Sequence, residues 1–385
     1  MSVRAGCGIS SFADPALAAT EAAFAAREQL GAHPADLVFV FCSGAHLTDP
    51  SVTLEAVHEV LSPGALVGCG AGGVLGAGRE VEGGTAVSVW AAHLGSGSAE
   101  AFHATVEQHG DAVAVGGFPE LDGASALVLL PDPYTFPTDR VLAELPGAAP
   151  GVPVLGGLAS GRAGDGAALF LGRELHAGGA VGVRLDGLEV LPCVSQGAAP
   201  IGPELTVTAG EGNLIHELAG RPALERLREA VEGLGAHERD MLTGGLLLGI
   251  VVDAGKPEYL QGDFLVRGLI GADPEKGAIA VGAPVGPGSV VRLHARDAAS
   301  ADLDLRQALE LRRTALGGAT PAGALMFTCN GRGRGLFGVR DHDAVTVAEL
   351  LDDAPTGGFF AAGEIGPVGG EAFLHGFTAT IAVFA

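Results

Sequence analysis

The stretch CNGRGR, residues 329–334, places a thiol, an amide and two guanidinium groups on one glycine-rich loop. Glycine lets the backbone turn sharply and approach a ligand closely. Two arginines at this spacing can clamp a carboxylate or a phosphate, with backbone N–H groups as further donors. Alternatively, they are solvated side chains of a surface turn. We predict a ligand-binding site formed by Cys329, Asn330, Arg332, Gly333 and Arg334.

A carboxylate farther along the chain, Glu364 in the sequence GEIGP, extends this hypothesis. Glu364 would accept a ligand's ammonium group while Arg332 holds an anionic group and Asn330 orients either, which gives both halves of an amino-acid receptor. The alternative is an internal ion pair between Glu364 and Arg332. His375 precedes the last predicted strand and either joins the site or caps the turn. The hypothesis requires that the loop and Glu364 line one cavity.

Two glycine-rich runs, residues 68–73 and 156–161, are interpreted as elbows that line an interior crevice. Neither run fits the G-x-G-x-x-G pattern with the helix and acidic residue of a dinucleotide site, and the chain has no G-x-x-x-x-G-K-[ST] loop. Cys69 is the one side chain of chemical interest in these runs. We predict that Cys69 and Gly70 face the same space as the loop, with simple packing as the alternative.

Two other kinds of chemistry stay open. A Cys-dependent enzyme would need a depressed pKa at Cys329, for which the two nearby arginines are the sequence hint; otherwise the thiol is a small buried hydrophobe. A haem-binding gas sensor would need an axial histidine, and none of the twelve histidines is singled out by its spacing. Because no catalytic or metal motif is present, we predict neither catalysis nor a metal site, with haem as the alternative cofactor.

The elements around these residues follow a repeated pattern. Residues 37–44 (LVFVFCSG) match residues 324–331 (ALMFTCNG) in their apolar run, cysteine and closing glycine. A middle copy begins with ALVLLPDP at 126–133. Each copy predicts a strand, a helix, a strand, a glycine elbow and a strand. The fold class is therefore α/β, or alternatively α+β, with two related domains of mixed sheets and helices.

The glycine runs set the alignment of the first two copies. Pairing Gly68 with Gly156 gives an offset of 156 − 68 = 88 residues, which also pairs Gly73 with Gly161. Residues 191–203 hold three prolines and little periodicity, as a linker does. We therefore predict domains at residues 1–200 and 201–385, a number that suits a chain of 385 residues.

Composition restricts the partners and the compartment. The chain carries 45 Asp and Glu against 22 Lys and Arg, a net charge of −23. That excess disfavours nucleic acid and anionic membranes as partners. Five cysteines without C-x-x-C spacing argue against a disulfide framework. Neither a spanning apolar stretch nor a signal-peptide region is evident. We expect a cytoplasmic protein.

Several segments together resemble the FIST family (F-box and intracellular signal transduction). They are LVFVFCSGAH, LVGCGAGG, VTAGEGNLIHELAGRPALERL, MFTCNGRGRGLFG and GGFFAAGEIGP. The resemblance covers a FIST N part over about 25–200 and a FIST C part over about 204–368. It implies a sensory module for small molecules such as amino acids, with haem in some bacterial members. With no residues left for a fused output domain, a signalling partner protein is expected.

Overall fold

A computed structural model describes residues 2–109, 112–164, 166–242, 245–259 and 261–385. The chain forms two compact units, of which the first comprises Met1–Val194 with Arg306–Ala385 and the second comprises Ser195–Leu305. The predicted α/β class, with two domains of mixed sheets and helices, is confirmed. The division into residues 1–200 and 201–385 stays a prediction about family domains; in space, the C-terminal segment lies in the first unit.

The helices and strands of the described residues are numbered in chain order. The helices are α1 (Pro15–Leu30), α2 (Pro50–Leu61), α3 (Thr138–Ala148), α4 (Ala223–Glu232), α5 (Ala236–Met241), α6 (Ala298–Ala315), α7 (Arg334–Phe337) and α8 (His342–Leu350). The strands up to the unit boundary are β1 (Arg4–Ser10), β2 (Leu37–Ser43), β3 (Ala65–Ala71), β4 (Gly73–Gly76), β5 (Arg79–Glu82), β6 (Ala86–His93), β7 (Ser98–His109), β8 (Ala112–Gly116), β9 (Ala126–Pro131), β10 (Val154–Gly157), β11 (Arg162–Ala163), β12 (Gly166–Ala167), β13 (Leu169–Leu171), β14 (Glu174–His176), β15 (Ala180–Asp186) and β16 (Val190–Ser195). The later strands are β17 (Ala199–Glu211), β18 (Leu214–Leu218), β19 (Arg221–Pro222), β20 (Leu246–Val251), β21 (Phe264–Asp273), β22 (Ala278–Val281), β23 (Val290–Ala295), β24 (Gly323–Cys329), β25 (Thr356–Ala361), β26 (Glu364–Val368), β27 (Glu371–His375) and β28 (Ala379–Phe384).

Three copies of one strand arrangement make up the first unit. Each copy pairs two strands in parallel, namely β2 with β3, β9 with β10, and β24 with β25. Each first strand also pairs with an antiparallel strand, which is β6, β15 or β28. Strands covered on both faces need continuous apolar runs rather than alternating ones, and β2 is buried along its whole length. The repeated unit predicted from the sequence is thus confirmed.

Equivalent glycines mark the copies. Gly68, Gly156 and Gly358 face Val40, Leu129 and Met326 across the parallel pairs. A Cβ at these glycines would lie 1.9, 1.9 and 1.8 Å from the facing carbonyl oxygen, so that no other residue fits there without a shift of the backbone. The alignment of Gly68 with Gly156 is therefore correct, and the third copy follows the same rule.

The copies exchange strands at their elbows. After β3 the chain enters the sheet of the third copy, where β4 pairs with β25. After β10 it enters the sheet of the first copy, where β13 pairs with β3. After β25 it enters the sheet of the second copy, where β26 pairs with β10. The elbows are consequently crossing points, and all three lie close together within the first unit.

A shared apolar core lies among these sheets. It combines side chains from all three copies, and Phe41 of the first packs 4.9 Å from Phe359 of the third. Each fully buried side chain of this size contributes roughly 1.5–3 kcal/mol relative to exposure. Helix α1 covers one face from outside. Asp14 Oδ1 caps its start by accepting the Leu17 N–H at 2.9 Å, and Gly31 ends it.

The second unit is built on one antiparallel sheet in the order β17–β23–β20–β21–β22–β18–β19, in which β17 also pairs with β18. Helix α4 packs its apolar side chains Ala223, Leu227 and Ala230 inward. None of the helices in the described part of the chain combines the length and the apolar composition needed to cross a lipid bilayer.

Candidate functional site

The predicted loop follows β24, and its central arginine points into the protein. Arg332 binds Asp343 of α8 in a bidentate ion pair, with Nε 2.7 Å from Oδ2 and Nη2 2.9 Å from Oδ1. Both side chains are fully buried. Thr328 donates a further hydrogen bond to Asp343 Oδ2 at 2.8 Å. The arginine therefore has a carboxylate partner inside the protein, which differs from the expected contact with a ligand or with Glu364.

The pair is electrostatically compensated. Burial alone would raise the pKa of Asp343, but the Arg332 guanidinium and the hydrogen bonds from His342, Arg332 and Thr328 hold it well below its usual range. The guanidinium also lies over the Phe337 ring, 5.1 Å from its centroid. A permanently ionised carboxylate fixed to a buried cation holds the loop against α7 and α8.

The end of the loop is held by a residue that the sequence did not single out. Glu82 of β5 accepts the backbone N–H of Arg334 at 2.9 Å. Gly333 has a φ of +63°, and a Cβ there would lie 2.5 Å from Glu82 Oε2. The Arg334 side chain is exposed. Arg334 is thus anchored through its backbone to Glu82, and Gly333 packs closely against the same carboxylate.

The start of the loop, by contrast, meets the predicted carboxylate. Glu364 begins β26 and lies opposite Gly157 on one side and His375 on the other. Its Oε2 accepts hydrogen bonds from Thr378, at 3.1 Å from N–H and 2.7 Å from the hydroxyl. The Cys329 thiol adjoins the same carboxyl group. The structure therefore brings Cys329, Glu364 and His375 together.

Burial dominates the chemistry of this pair. It raises the pKa of Glu364 to about 8, against the hydrogen bonds from Thr378 and the Cys329 thiol and the charge of Arg332. The carboxyl group is therefore largely protonated at neutral pH. Burial and the charge of Glu364 raise the pKa of Cys329 to about 12. A thiol that stays protonated is the opposite of what nucleophilic catalysis requires. His375 Nε2 is engaged with the carbonyl oxygen of Gly366 at 2.9 Å.

The three elbows meet next to this pair. We call this meeting point, formed by residues 70–72, 160–161 and 330, the elbow junction. The Ser160 hydroxyl donates to the carbonyl oxygen of Phe360 and accepts the Gly72 N–H at 2.8 Å. The exposed Asn330 donates its N–H to Ala361 O at 2.9 Å, and its Oδ1 lies 3.4 Å from where a Cβ on Gly72 would be. Polar groups from all three copies thus form a small exposed cluster next to the predicted loop.

Cys69 and Gly70 have different surroundings. Gly70 belongs to the elbow junction, where its carbonyl oxygen accepts the Gly161 N–H at 2.9 Å. Cys69 is fully buried in the shared apolar core, and burial raises its pKa well above the usual value. Cys69 therefore lies in a packing environment, which was the alternative to facing the loop.

Sequence reasoning missed the partners of the loop rather than the loop itself. Asp343 carried one usable signal, its place in the first turn of a predictable helix, where acidic residues are favoured. Thr378 and Glu82 carried none, because both lie in or next to strands whose pairing partners come from distant parts of the chain. Among the described residues, no group of three or more His, Cys, Asp or Glu side chains is arranged to hold a metal ion.

Comparison with known proteins places this chain in a family. The FIST N domain model matches residues 36–221 and the FIST C domain model matches residues 223–367. An uncharacterized protein of Mycobacterium tuberculosis is 46% identical over 386 residues, which cover 99% of this chain and 100% of that protein. An uncharacterized protein of Mycobacterium bovis is also 46% identical, over 99% of both chains. The chain belongs to the FIST family.

Proposed function

We propose that this protein is a cytoplasmic sensor that binds a small, amino-acid-like ligand at the elbow junction, with Asn330 at the surface and Cys329 and Glu364 beneath it. FIST domains are associated with signal transduction and sensing. The observation that carries the proposal is the state of Glu364. Its Oε1 is buried without an N–H or O–H partner in the described part of the chain. A buried polar atom left unpaired lowers stability, and a ligand group that hydrogen-bonds to Oε1 would remove that penalty.

An ammonium group fits this site once Glu364 has lost its proton. A cation beside Glu364 would favour its ionised form and so lower its pKa, which converts burial of the ligand charge into an ion pair. Asn330 offers an exposed amide that donates to a ligand carboxylate. Arg332 supports the loop through Asp343 rather than contacting the ligand.

Backbone strain next to the pair supports the same location. Phe377 has a φ of +67°, a conformation that bulky residues rarely adopt. Its N–H lies 3.2 Å from Cys329 Sγ, and its side chain is only partly buried. Strained backbone is often retained at ligand-binding positions. A shift of Phe377 on ligand binding would relieve this strain.

Cysteine usage and net charge bear on the compartment and the partners. Five free, buried cysteines fit a reducing compartment, which favours the cytoplasm. A signalling response would pass to a partner protein that recognises the ligand-bound state. Nucleic acid and membranes are not proposed as partners because the net charge of −23 repels both.

A thermal-shift screen with the common amino acids tests the ligand. A binder at about 100 times its dissociation constant should add roughly 2.7 kcal/mol to the free energy of unfolding. Glu364→Gln should abolish this response and Asn330→Ala should weaken it, whereas Arg334→Ala, which changes an exposed side chain of the same loop, should retain it. A response that survives Glu364→Gln would place the ligand elsewhere. The absence of any response would rule out this ligand class.

A further inference from the structure

A cavity of about 490 Å³ lies at the N-terminal edge of the first unit, away from the elbow junction. Its lining consists of Ser2, Val3, Arg4, Ala5, His33 and Ala322. These residues supply a guanidinium, an imidazole and a hydroxyl group, and none carries a carboxylate. In a chain with 45 acidic side chains against 22 basic ones, a lining that holds a guanidinium and no carboxylate favours a negatively charged ligand.

A row of polar side chains crosses the sheet beside this cavity. Arg4 of β1 faces His93 of β6 in register, so that the two side chains lie on one face. Asp36, just before β2, continues the row, with Oδ2 2.7 Å from His93 Nδ1. The same carboxylate oxygen accepts the Leu94 N–H at 2.9 Å. The partners of the Asp36 carboxylate are therefore His93 and the Leu94 N–H, and Arg4 is not among them.

The guanidinium and the imidazole of the lining each lie against a neighbouring element. The His33 ring stacks on His93, with 4.8 Å between centroids and 20° between planes. The Arg4 guanidinium is exposed, next to the end of α1, where Nη1 lies 3.6 Å from the position of a Cβ on Gly31. Within the described part of the chain, the Arg4 side chain makes neither an ion pair nor a hydrogen bond.

We propose that this cavity binds an oxyanion, the carboxylate or phosphate group of a small metabolite. Arg4 would bind two oxygens through its planar fork, and His33 would donate a further hydrogen bond from a ring that His93 and Asp36 hold in place. The Ser2 hydroxyl can complete the set. The volume lies within the range of roughly 300–1,000 Å³ that small-molecule sites occupy, so the rest of the metabolite also has room.

Titration calorimetry and thermal shift with two probes, inorganic phosphate and succinate, test the site at constant ionic strength, with sodium chloride as the reference. Wild-type protein should bind at least one probe; a response to phosphate alone or succinate alone identifies the group preferred. Arg4→Ala should weaken binding about tenfold or more, because charge-assisted hydrogen bonds are lost. Arg4→Lys keeps the charge without the planar fork, so its affinity for the probe should lie between those of wild type and Arg4→Ala.

Two control variants show whether the probes bind at Arg4 or elsewhere on the protein. Arg140→Ala removes an arginine of the exposed Arg140–Glu144 pair on α3 and should bind like wild type. Glu364→Gln should also bind normally, so that failure of the amino-acid site and failure of this site are distinguishable. Binding that is unchanged in both Arg4 variants, or a response to sodium chloride equal to that of the probes, would overturn the proposal.

Discussion

Two buried carboxylates near the same loop show how differently equal burial can act. Asp343 and Glu364 both have fully buried side chains. Asp343 faces the Arg332 guanidinium, and its pKa falls, whereas Glu364 faces the Cys329 thiol and the Thr378 hydroxyl, and its pKa rises to about 8. The difference is direct contact with Arg332, which binds Asp343 in a bidentate ion pair, whereas for Glu364 the charge of Arg332 only partly offsets the effect of burial. The ion-paired carboxylate holds the loop in place, and the largely protonated carboxyl group is the one for which we propose a ligand.

The largest effect is expected from breaking the compensated pair. Arg332→Ala should lower the free energy of unfolding by roughly 3–5 kcal/mol, because Asp343 remains as a buried charge without its cation. Urea unfolding at neutral pH measures the loss. The matched variant is Arg334→Ala, which removes an exposed arginine two positions later and should change stability by at most about 0.5 kcal/mol. Equal stability of the two variants would show that the Arg332–Asp343 pair does not hold the loop.

A smaller, pH-dependent effect is expected from the uncompensated carboxyl group. Burial raises the pKa of Glu364 from 4.5 to about 8, so between these values the folded state keeps a proton that the unfolded state has lost. Stability from this group is therefore complete below about 4.5 and falls as the pH rises towards 8, by up to about 1.4 kcal/mol per pH unit.

Glu364→Gln isolates this contribution, because the amide keeps the shape of the side chain and does not ionise. Urea unfolding of both proteins between pH 5 and pH 8 should show the variant gaining stability relative to wild type as the pH rises, over the window between 4.5 and about 8. Subtracting the two curves removes the titration of other groups, such as Glu80, whose pKa is raised to about 7 by burial and by Asp343. A constant difference would mean that Glu364 is ionised throughout.

The same two regions show what the sequence predicts and what it does not. Apolar runs and glycine elbows suffice to predict the strands and the three copies, because each depends on neighbouring residues. Strand exchange between copies was not predictable, since it depends on which sheet accepts a strand such as β26 after its elbow. The nearness of the loop to Glu364 was predicted from residue chemistry, and the structure shows the Cys329 thiol beside it. The contact of Asp343 with Arg332 was not predictable, because it depends on how α7 and α8 are placed relative to the loop that precedes them.

The smallest expected signal comes from the thiol beside Glu364. Cys329 is 8% exposed, and burial is the largest cause of its raised pKa, ahead of the Glu364 charge. Because the thiolate is the reactive form, Cys329 should remain unlabelled by iodoacetamide at pH 7.5 while the unfolded chain reacts at all five cysteines. Glu364→Gln removes the lesser cause only, so mass spectrometry of that variant should also find Cys329 unmodified. Rapid, selective labelling of Cys329 in the native protein would mean that its environment favours the thiolate, and a Cys-dependent enzyme would then replace the sensor as the better hypothesis.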